Sequence, residues 1–305
     1  MMANIKLEIG VLNVAMHNHD KGELSYESLF KALTNDDELE AQLDDTHAAC
    51  IGELNTDKEY KGQRYFLGQI YKYAKIDINR DCLNTKTKKV ATEEEKKALV
   101  VPKHLRPHFI KIPFLFIPKG HRFYIQTKHK NDSFGITKAK KVLEKLVQNK
   151  KIFEKFGDIE ITIQPDSQKV DELLDRKDID KLILEIVRPN PDGVKGVEES
   201  LYKKMKKRNL KKQRTEYITV RDEHLNVDEE LKMEAKVAAS NGKVVAEGVD
   251  ASNQKWKTST EDTNLIIKTS YVADRTEENK GLDPAEQHLI ETAFDTHQEI
   301  TQITQ

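Results

Sequence analysis

Cysteine is nearly absent from this chain, with two residues in 305, Cys50 and Cys82. They form no CxxC pair and no metal-type spacing, so the expectation is free thiols in a reducing cytoplasm rather than a disulfide or thiolate–zinc scaffold. Long apolar runs are missing too. No stretch approaches the roughly 18 residues a membrane span requires, and the N-terminus lacks the basic-then-apolar order of a secretion signal, so neither direct membrane insertion nor export is expected. The 13 glycines are scattered. Without GxxxxGKS/T or GxGxxG, phosphate-loop and dinucleotide chemistry have no footing, and no GxSxG elbow or cysteine-centred nucleophile motif occurs.

Two histidine pairs have the spacing of metal ligands, His17 with His19 on a strand and His104 with His108 on a helix. Pro107 argues against that helix, and neither pair has a nearby cluster of carboxylate or thiolate partners. Asp158 and Glu160 are spaced like a nuclease carboxylate pair, yet the next position on their face is Thr162 and not the lysine such a site would use. The sequence therefore assigns no catalytic residue, no metal ligand and no cofactor. Missing motifs remove the common enzymes without excluding every enzyme.

What the chain does have is charge. Hydrophobic residues make up 37% and charged residues 34%, with a mean hydropathy of -0.70. That is polar for a folded protein but far from a disordered composition. The net charge of -1 hides a segregation. Val101 to Lys155 carries 14 Lys and Arg against 3 Asp and Glu, a surplus of +11; Lys195 to Arg214 carries 9 against 2, or +7; Thr215 to the end carries 9 against 19, or -10. Sign asymmetry of this kind bears on partners rather than fold, and it points to a polyanion.

Apolar periodicity supplies the elements. Ile5, Leu7, Ile9 and Val11 alternate as in a half-buried strand. Ser25 stands where an N-cap would, ahead of Leu29, Phe30 and Leu33 at helical spacing, with Asn35-Asp36-Asp37 as the stop. Ala48 to Leu54 and Tyr65 to Ile78 read as strands, and Asn79 to Lys103 as an excursion with a short helix capped by Thr92. Phe109 to Thr127 is a hairpin turned at Ile117-Pro118-Lys119-Gly120, with Pro113 implying an edge or a bulge. Ala139, Val142, Leu143, Leu146 and Val147 share one face of a helix opened by Thr137 and stopped near Asn149. Strands follow at Ile159 to Ile163, Leu182 to Val187 (closed by Pro189-Asn190-Pro191), Tyr217 to Val220 and Leu265 to Val272. A helix is expected around Val170 to Leu174, and Leu231 to Val249 is expected to be a hairpin turned by Asn241-Gly242. Asp283-Pro284 opens a last helix carrying Leu289, Ile290 and Phe294. The sum is an α+β fold of mainly antiparallel sheets with flanking helices, expected as two packed subdomains, 1–157 and 158–305.

The strongest functional feature is a basic helix expected over Val197 to Gln213. At 100° per residue, Lys203, Lys204, Lys207, Lys211 and Arg214 fall within about a 100° arc, and Lys212 lies beside them. Such a stripe can meet several phosphates and gain by releasing counterions; the plainer reading is a solvated helix face. Lys138, Lys141 and Lys145 form a second candidate on the polar face of the preceding amphipathic helix, where lysines commonly serve only as surface. Lys119 and Arg122 extend it over the hairpin. Phe109, Phe116, Phe123 and Tyr124 there are expected in the core rather than stacked on bases.

Three segments, taken with their order, carry a resemblance: Ile112-Pro113-Phe114-Leu115-Phe116-Ile117, then a helix, then Phe156-Gly157-Asp158-Ile159-Glu160-Ile161-Thr162-Ile163-Gln164-Pro165, then the lysine-led strand from Lys181 to Pro191. With Ser25 to Leu33 and the late hairpin, they make the chain resemble the RexA family of lambdoid phage exclusion and its bacterial relatives. The chain departs from that family in the Asn79 to Lys103 excursion and in the basic Lys203 to Arg214 segment. The resemblance implies a two-domain, non-enzymatic protein that binds double-stranded DNA with little sequence preference, as a homodimer, and senses infection for a partner effector. A metal-dependent nuclease effector and an interaction module using the basic face are the alternatives.

Overall fold

The alternation that starts at Ile5 produces a strand longer than the alternating residues themselves, β1 (Asn4–Met16), because the residues after Val11 are buried on both sides. The computed structural model describes residues 4–17, 23–77, 80–98, 102, 104–189, 196–221, 223–272 and 283–303. His19, Asn190, Pro191 and Lys195 lie outside them. α1 (Glu23–Asn35) follows, with Ser25 already inside the helix rather than capping it. β2 (Ala41–Gln42) leads into the hairpin β3 (His47–Tyr60) and β4 (Gln63–Ala74), turned at Lys61 and Gly62. The excursion is a small hairpin, β5 (Leu83–Asn84) and β6 (Lys89–Val90), and α2 (Glu93–Lys97). Thr92 and Glu95 close a reciprocal capping box on α2.

β7 (Ile110–Ile117) and β8 (Arg122–His129) are the expected hairpin, and Gly120 supplies the left-handed turn residue at φ 90°. Pro113 pairs only toward β4, at Gln69, since contact with β8 begins at Phe114. The missing N–H therefore costs no ladder bond on the β8 side. β9 (Asp132–Ser133) precedes α3 (Ile136–Val147), whose buried residues include all five of the expected apolar stripe. Asn149 does not end the helical stretch; it caps a further helix, α4 (Lys150–Phe156). β10 (Ile159–Ile163), α5 (Ser167–Leu174) and β11 (Ile179–Val187) fall where expected.

Two expectations fail in the next stretch. The basic helix α6 (Gly196–Lys207) stops early, Asn209 turns the chain at φ 54°, and Lys212 begins a strand, β12 (Lys212–Ile218). Leu231 to Ser240 is not a strand but the helix α7 (Glu229–Ser240), capped by Asp228 through a bond from Leu231 N–H. Asn241 ends α7 and Gly242 opens β13 (Gly242–Val249). A side chain at Gly242 would meet the Glu185 carbonyl oxygen at 2.1 Å, so this glycine serves a close strand approach and not a hairpin turn. β14 (Lys255–Ser259), a single 3-10 turn at Thr260–Asp262, β15 (Ile266–Val272) and α8 (Pro284–Ile303) complete the chain. Among the described residues no helix is long and apolar enough to cross a membrane.

The first sheet runs β10-β1-β8-β7-β4-β3-β2, with β15 also on β1 and β9 on β8. One edge of β1 is shared, Asn4–Gly10 pairing with β15 and Leu12–Met16 with β10. Leu12, Val14 and Met16 face a core built with Phe30 of α1, Phe66, Phe114, Phe116, Phe123 and the apolar side of α3. Leu7, Ile9 and Val11 face the opposite core, closed by Leu289, Ile290 and Phe294 of α8. Phe116, Phe123 and Tyr124 are thus fully buried, and Phe109 packs edge-on against Tyr71. The second sheet, β12-β11-β13-β14, has its own core with α5, α6 and α7. The α+β class with mostly antiparallel sheets stands. A division after residue 157 does not follow the sheets, because β10, β15 and α8 all belong to the first.

His297 on α8 is 6% exposed, its Nδ1 lying 3.2 Å from the Tyr124 hydroxyl. Burial, and then the nearby Arg122 charge, pull its pKa down to about 4. Unfolded, the ring binds a proton near pH 6.5. Between those values the unfolded chain holds a proton the folded one does not, so stability falls as pH drops, by up to about 1.4 kcal/mol per unit. Urea unfolding of His297→Gln between pH 6.5 and 4.5 should give a flatter profile by about that slope. An unchanged slope would mean that the buried ring titrates normally.

Candidate nucleic-acid interface

α6 is amphipathic at i and i+4: Leu201 and Met205 are buried against the second core, and Lys203, Lys204, Lys206 and Lys207 are exposed. Glu198 and Glu199 occupy its first turn and the lysines its last, the order that suits the helix dipole. Lys203 pairs with Glu199 at 2.5 Å across one turn, both side chains well exposed, a geometry worth only a few tenths of a kcal/mol. Lys206 lies over the Tyr202 ring. Among the described residues, Lys204, Lys207 and Arg208 have no carboxylate at ion-pair distance.

The remaining members of the expected stripe sit elsewhere and are engaged. Lys211 lies between the two chain segments, 2.9 Å from Glu160 and 3.2 Å from Asp158. Lys212 and Arg214 point to the same face of β12, opposite the strand that carries Glu185. Glu185 is 8% exposed and receives Lys212, Arg214 at 3.6 Å and Lys243 at 3.9 Å. The Lys212 hydrogen bond is the main reason its carboxyl stays below the usual range. Arg214 also holds Glu216 at 2.5 Å, and Glu216 in turn holds Lys181. This face of the second sheet is an ion lattice in which most of the positive charge already has a partner. One cationic stripe from Lys203 to Arg214 therefore does not exist, because the chain changes from helix to strand at Asn209.

The second group also divides. Lys138 is exposed on the first turns of α3, and Lys119 is exposed on the β7–β8 turn. Lys141 and Lys145 reach the other end of the sheet, donating to the carbonyls of Leu43 and Gln42 beside β2. Arg122 is excluded from any surface. It is 8% exposed and donates to Asn13 Oδ1 at 2.6 Å and to the Gly120 carbonyl at 3.0 Å. Asn13 Nδ2 continues to Asn241 Oδ1 at 3.4 Å, and Asn241 Nδ2 to Glu198 Oε1 at 2.7 Å. This buried relay fixes the start of α6 against the first sheet.

Lys211 ties the second lysine-dense stretch to β10, the strand that follows the first stretch. Lys155 lies three residues before Asp158 and Arg208 three residues before Lys211, so each Cα is within about 11 Å of its end of that ion pair. His17 is close by, with both ring nitrogens buried and unpartnered; burial first, then Arg188, lower its pKa to about 4, so it adds no charge at neutral pH. Lys211 supplies, from a distant segment, the lysine that the Asp158–Glu160 strand lacks. Among the described residues no three His, Cys, Asp or Glu side chains are grouped to hold a metal ion.

The family model described as Domain of unknown function (DUF4747) matches residues 5–287. The chain belongs to this family. The matched span takes in both sheets and all of the cations above. No curated protein matches the chain.

Sequence reasoning missed Glu185 as the counter-charge, although a lone glutamate inside the apolar strand Leu182 to Val187 was a signal, since a buried acid demands cations. It also passed over Lys206 and Arg208, which the early end of α6 leaves exposed. Arg122→Ala should cost about 2–4 kcal/mol in denaturant unfolding, by opening a cavity and orphaning Asn13 Oδ1. Nucleic-acid retention by the folded fraction should not change; a selective loss of retention at full stability would return Arg122 to the interface.

Proposed function

We propose that this protein is a non-enzymatic, largely sequence-independent nucleic-acid-binding protein, with duplex DNA as its first-choice ligand. The run Lys203, Lys204, Lys206, Lys207 and Arg208 carries the reading: every one of the five is exposed and, among the described residues, only Lys203 holds a carboxylate. A rise of about 1.5 Å per residue spreads these charges over about 7.5 Å, which matches four to five duplex charges at about one per 1.7 Å of axis. Lys211, Lys212 and Arg214 contribute less, because contact with phosphate would compete with carboxylates they already hold. The resemblance to the RexA family adds a setting to this chemistry, phage exclusion by a homodimer that signals infection to a partner effector in the cytoplasm.

One observation favours a second reading. Lys211 beside Asp158 and Glu160 is the residue set of a metal-dependent nuclease, and incubation with plasmid and RNA plus magnesium or manganese tests it, cleavage replacing binding as the activity.

For the first reading, five phosphate contacts imply a slope of about -4.5 in log affinity against log salt. Reversing three charges, Lys204→Glu, Lys207→Glu and Arg208→Glu, should bring the slope to about -2 and lower duplex affinity roughly 100-fold at low salt. Lys212→Gln with Arg214→Gln should leave the slope nearly unchanged. Undiminished DNA retention by the triple reversal would end this reading.

A further inference from the structure

β12 is the outer strand of the second sheet, and among the described residues no strand lies on its other side. Its pairing with β11 runs over all of Lys212–Ile218 without a bulge. The bonds at its two ends show which backbone groups it uses: Arg188 N–H donates to the Lys211 carbonyl at 2.9 Å, and Thr219 N–H to the Asp180 carbonyl at 3.0 Å. Antiparallel ladders alternate bonded and non-bonded pairs. Positions 211, 213, 215, 217 and 219 therefore bond to β11, and the N–H and C=O groups of Lys212, Arg214, Glu216 and Ile218 point outward. Such edges are commonly blunted by proline, a bulge or lysines. β12 has no proline and no bulge, its charges are of both signs, and Ile218 is 68% exposed.

This edge is complementary to itself. Two copies can bond edge to edge about a two-fold axis only where outward groups meet outward groups, which sets even positions against even ones. With the axis at Thr215, Arg214 of each copy faces Glu216 of the other, and Lys212 faces Ile218, whose apolar surface the lysine stem covers. Thr215 then meets its own counterpart as a non-hydrogen-bonded pair, the kind in which side chains lie closest. Moving the axis by one residue sets Arg214 against Arg214 or Glu216 against Glu216. The other edge of the sheet is built in the opposite way. On β14 the bond from Asp250 N–H to the Gln254 carbonyl at 2.9 Å turns Lys255 and Lys257 outward by the same alternation, and full-length pairing of two copies there would oppose Lys257 to Lys257.

We propose that two copies of this chain join through β12, antiparallel about Thr215, so that the two four-stranded sheets become one continuous sheet. This deepens the reading above by giving its homodimer an interface. The patch of Lys204, Lys207 and Arg208 takes no part in the edge, so phosphate binding and dimerisation fail separately.

Sedimentation of the full chain at micromolar concentration should give twice the 35.1 kDa mass of one copy. Glu216→Pro removes an N–H that β11 does not use, so the sheet keeps its ladder; this variant should be folded by circular dichroism and monomeric. Arg214→Glu and Glu216→Arg should each be monomeric, and their equimolar mixture should recover the dimer, because the acidic edge of one then faces the basic edge of the other. Thr215→Cys should cross-link to itself on mild oxidation, above the background of Cys50 and Cys82, since a Cα spacing of about 4.5 Å lies within the disulfide range. Gln213→Cys, four positions from its own counterpart, should not. A monomeric parent chain, a dimer that survives Glu216→Pro, or cross-linking through Gln213→Cys in place of Thr215→Cys overturns the proposal. Duplex retention is read on the same samples: its absence from all of them ends the phosphate reading, and a dimer of the parent chain lost in Glu216→Pro still upholds the edge.

Discussion

Everything in the fold is organised by the sharing of one strand. β1 gives one edge wholly to β8 and divides the other between β15 and β10, so strands that are more than a hundred residues apart in sequence are registered on the same thirteen residues. Its two faces are equally committed, one to the phenylalanine core under α1 and α3, the other to α8. A strand used on both edges and both faces has no freedom to slip, because a one-residue shift would exchange the two cores. The second unit is therefore an insertion into the first: it leaves after β10 and returns before β15, and both of those strands end on β1. Its position is fixed by those two crossings and by the Arg122–Asn13–Asn241–Glu198 relay.

That arrangement explains which parts of the molecule the sequence made legible. Elements with a clean period came through, among them α1, α3 and α8, because their apolar spacing reflects burial on a single core. Pattern failed where two explanations fit the same residues. Asn241-Gly242 is a strong hairpin signal, but Asp228 with Glu229 and Glu230 starts a helix whose spacing, Ala235 and Ala238, outweighs it. The domain cut failed for another reason. Return of the last strand and helix to the first sheet is a non-local pairing, and nothing in the local sequence of Ile266–Val272 names β1 as its partner.

The candidate interface was half legible, for a related physical reason. Charge counted along a window ignores what folding places opposite it. Lys212 and Arg214 read as the end of a cationic helix, yet the two-residue period of β12 turns both toward Glu185 of the neighbouring strand. Lys141 and Lys145, correctly placed on a polar helix face, spend their hydrogen bonds on backbone carbonyls. What the window did capture is the last turn of α6, where no strand lies opposite.

The same logic applies to the acidic end of the chain. Its balance along the sequence is -10; Glu216, Glu261 and Glu247 hold Arg214, Lys243 and Lys257, and Asp295 reaches back to Lys61. Of these cations only Arg214 and Lys61 come from outside the segment, and Lys232 and Lys236 within it are held by Asp175 and Asp171, so its negative balance is not cancelled by these pairs. An exposed pair contributes little to stability, but it lowers the charge available to a partner by one on each side. The cations that folding leaves without a carboxylate at the end of α6 are the ones on which the proposed phosphate contact rests. For this reason the early stop of α6 at Lys207, which broke the expected stripe, also concentrates the free charge into a patch short enough to sit on half a turn of duplex.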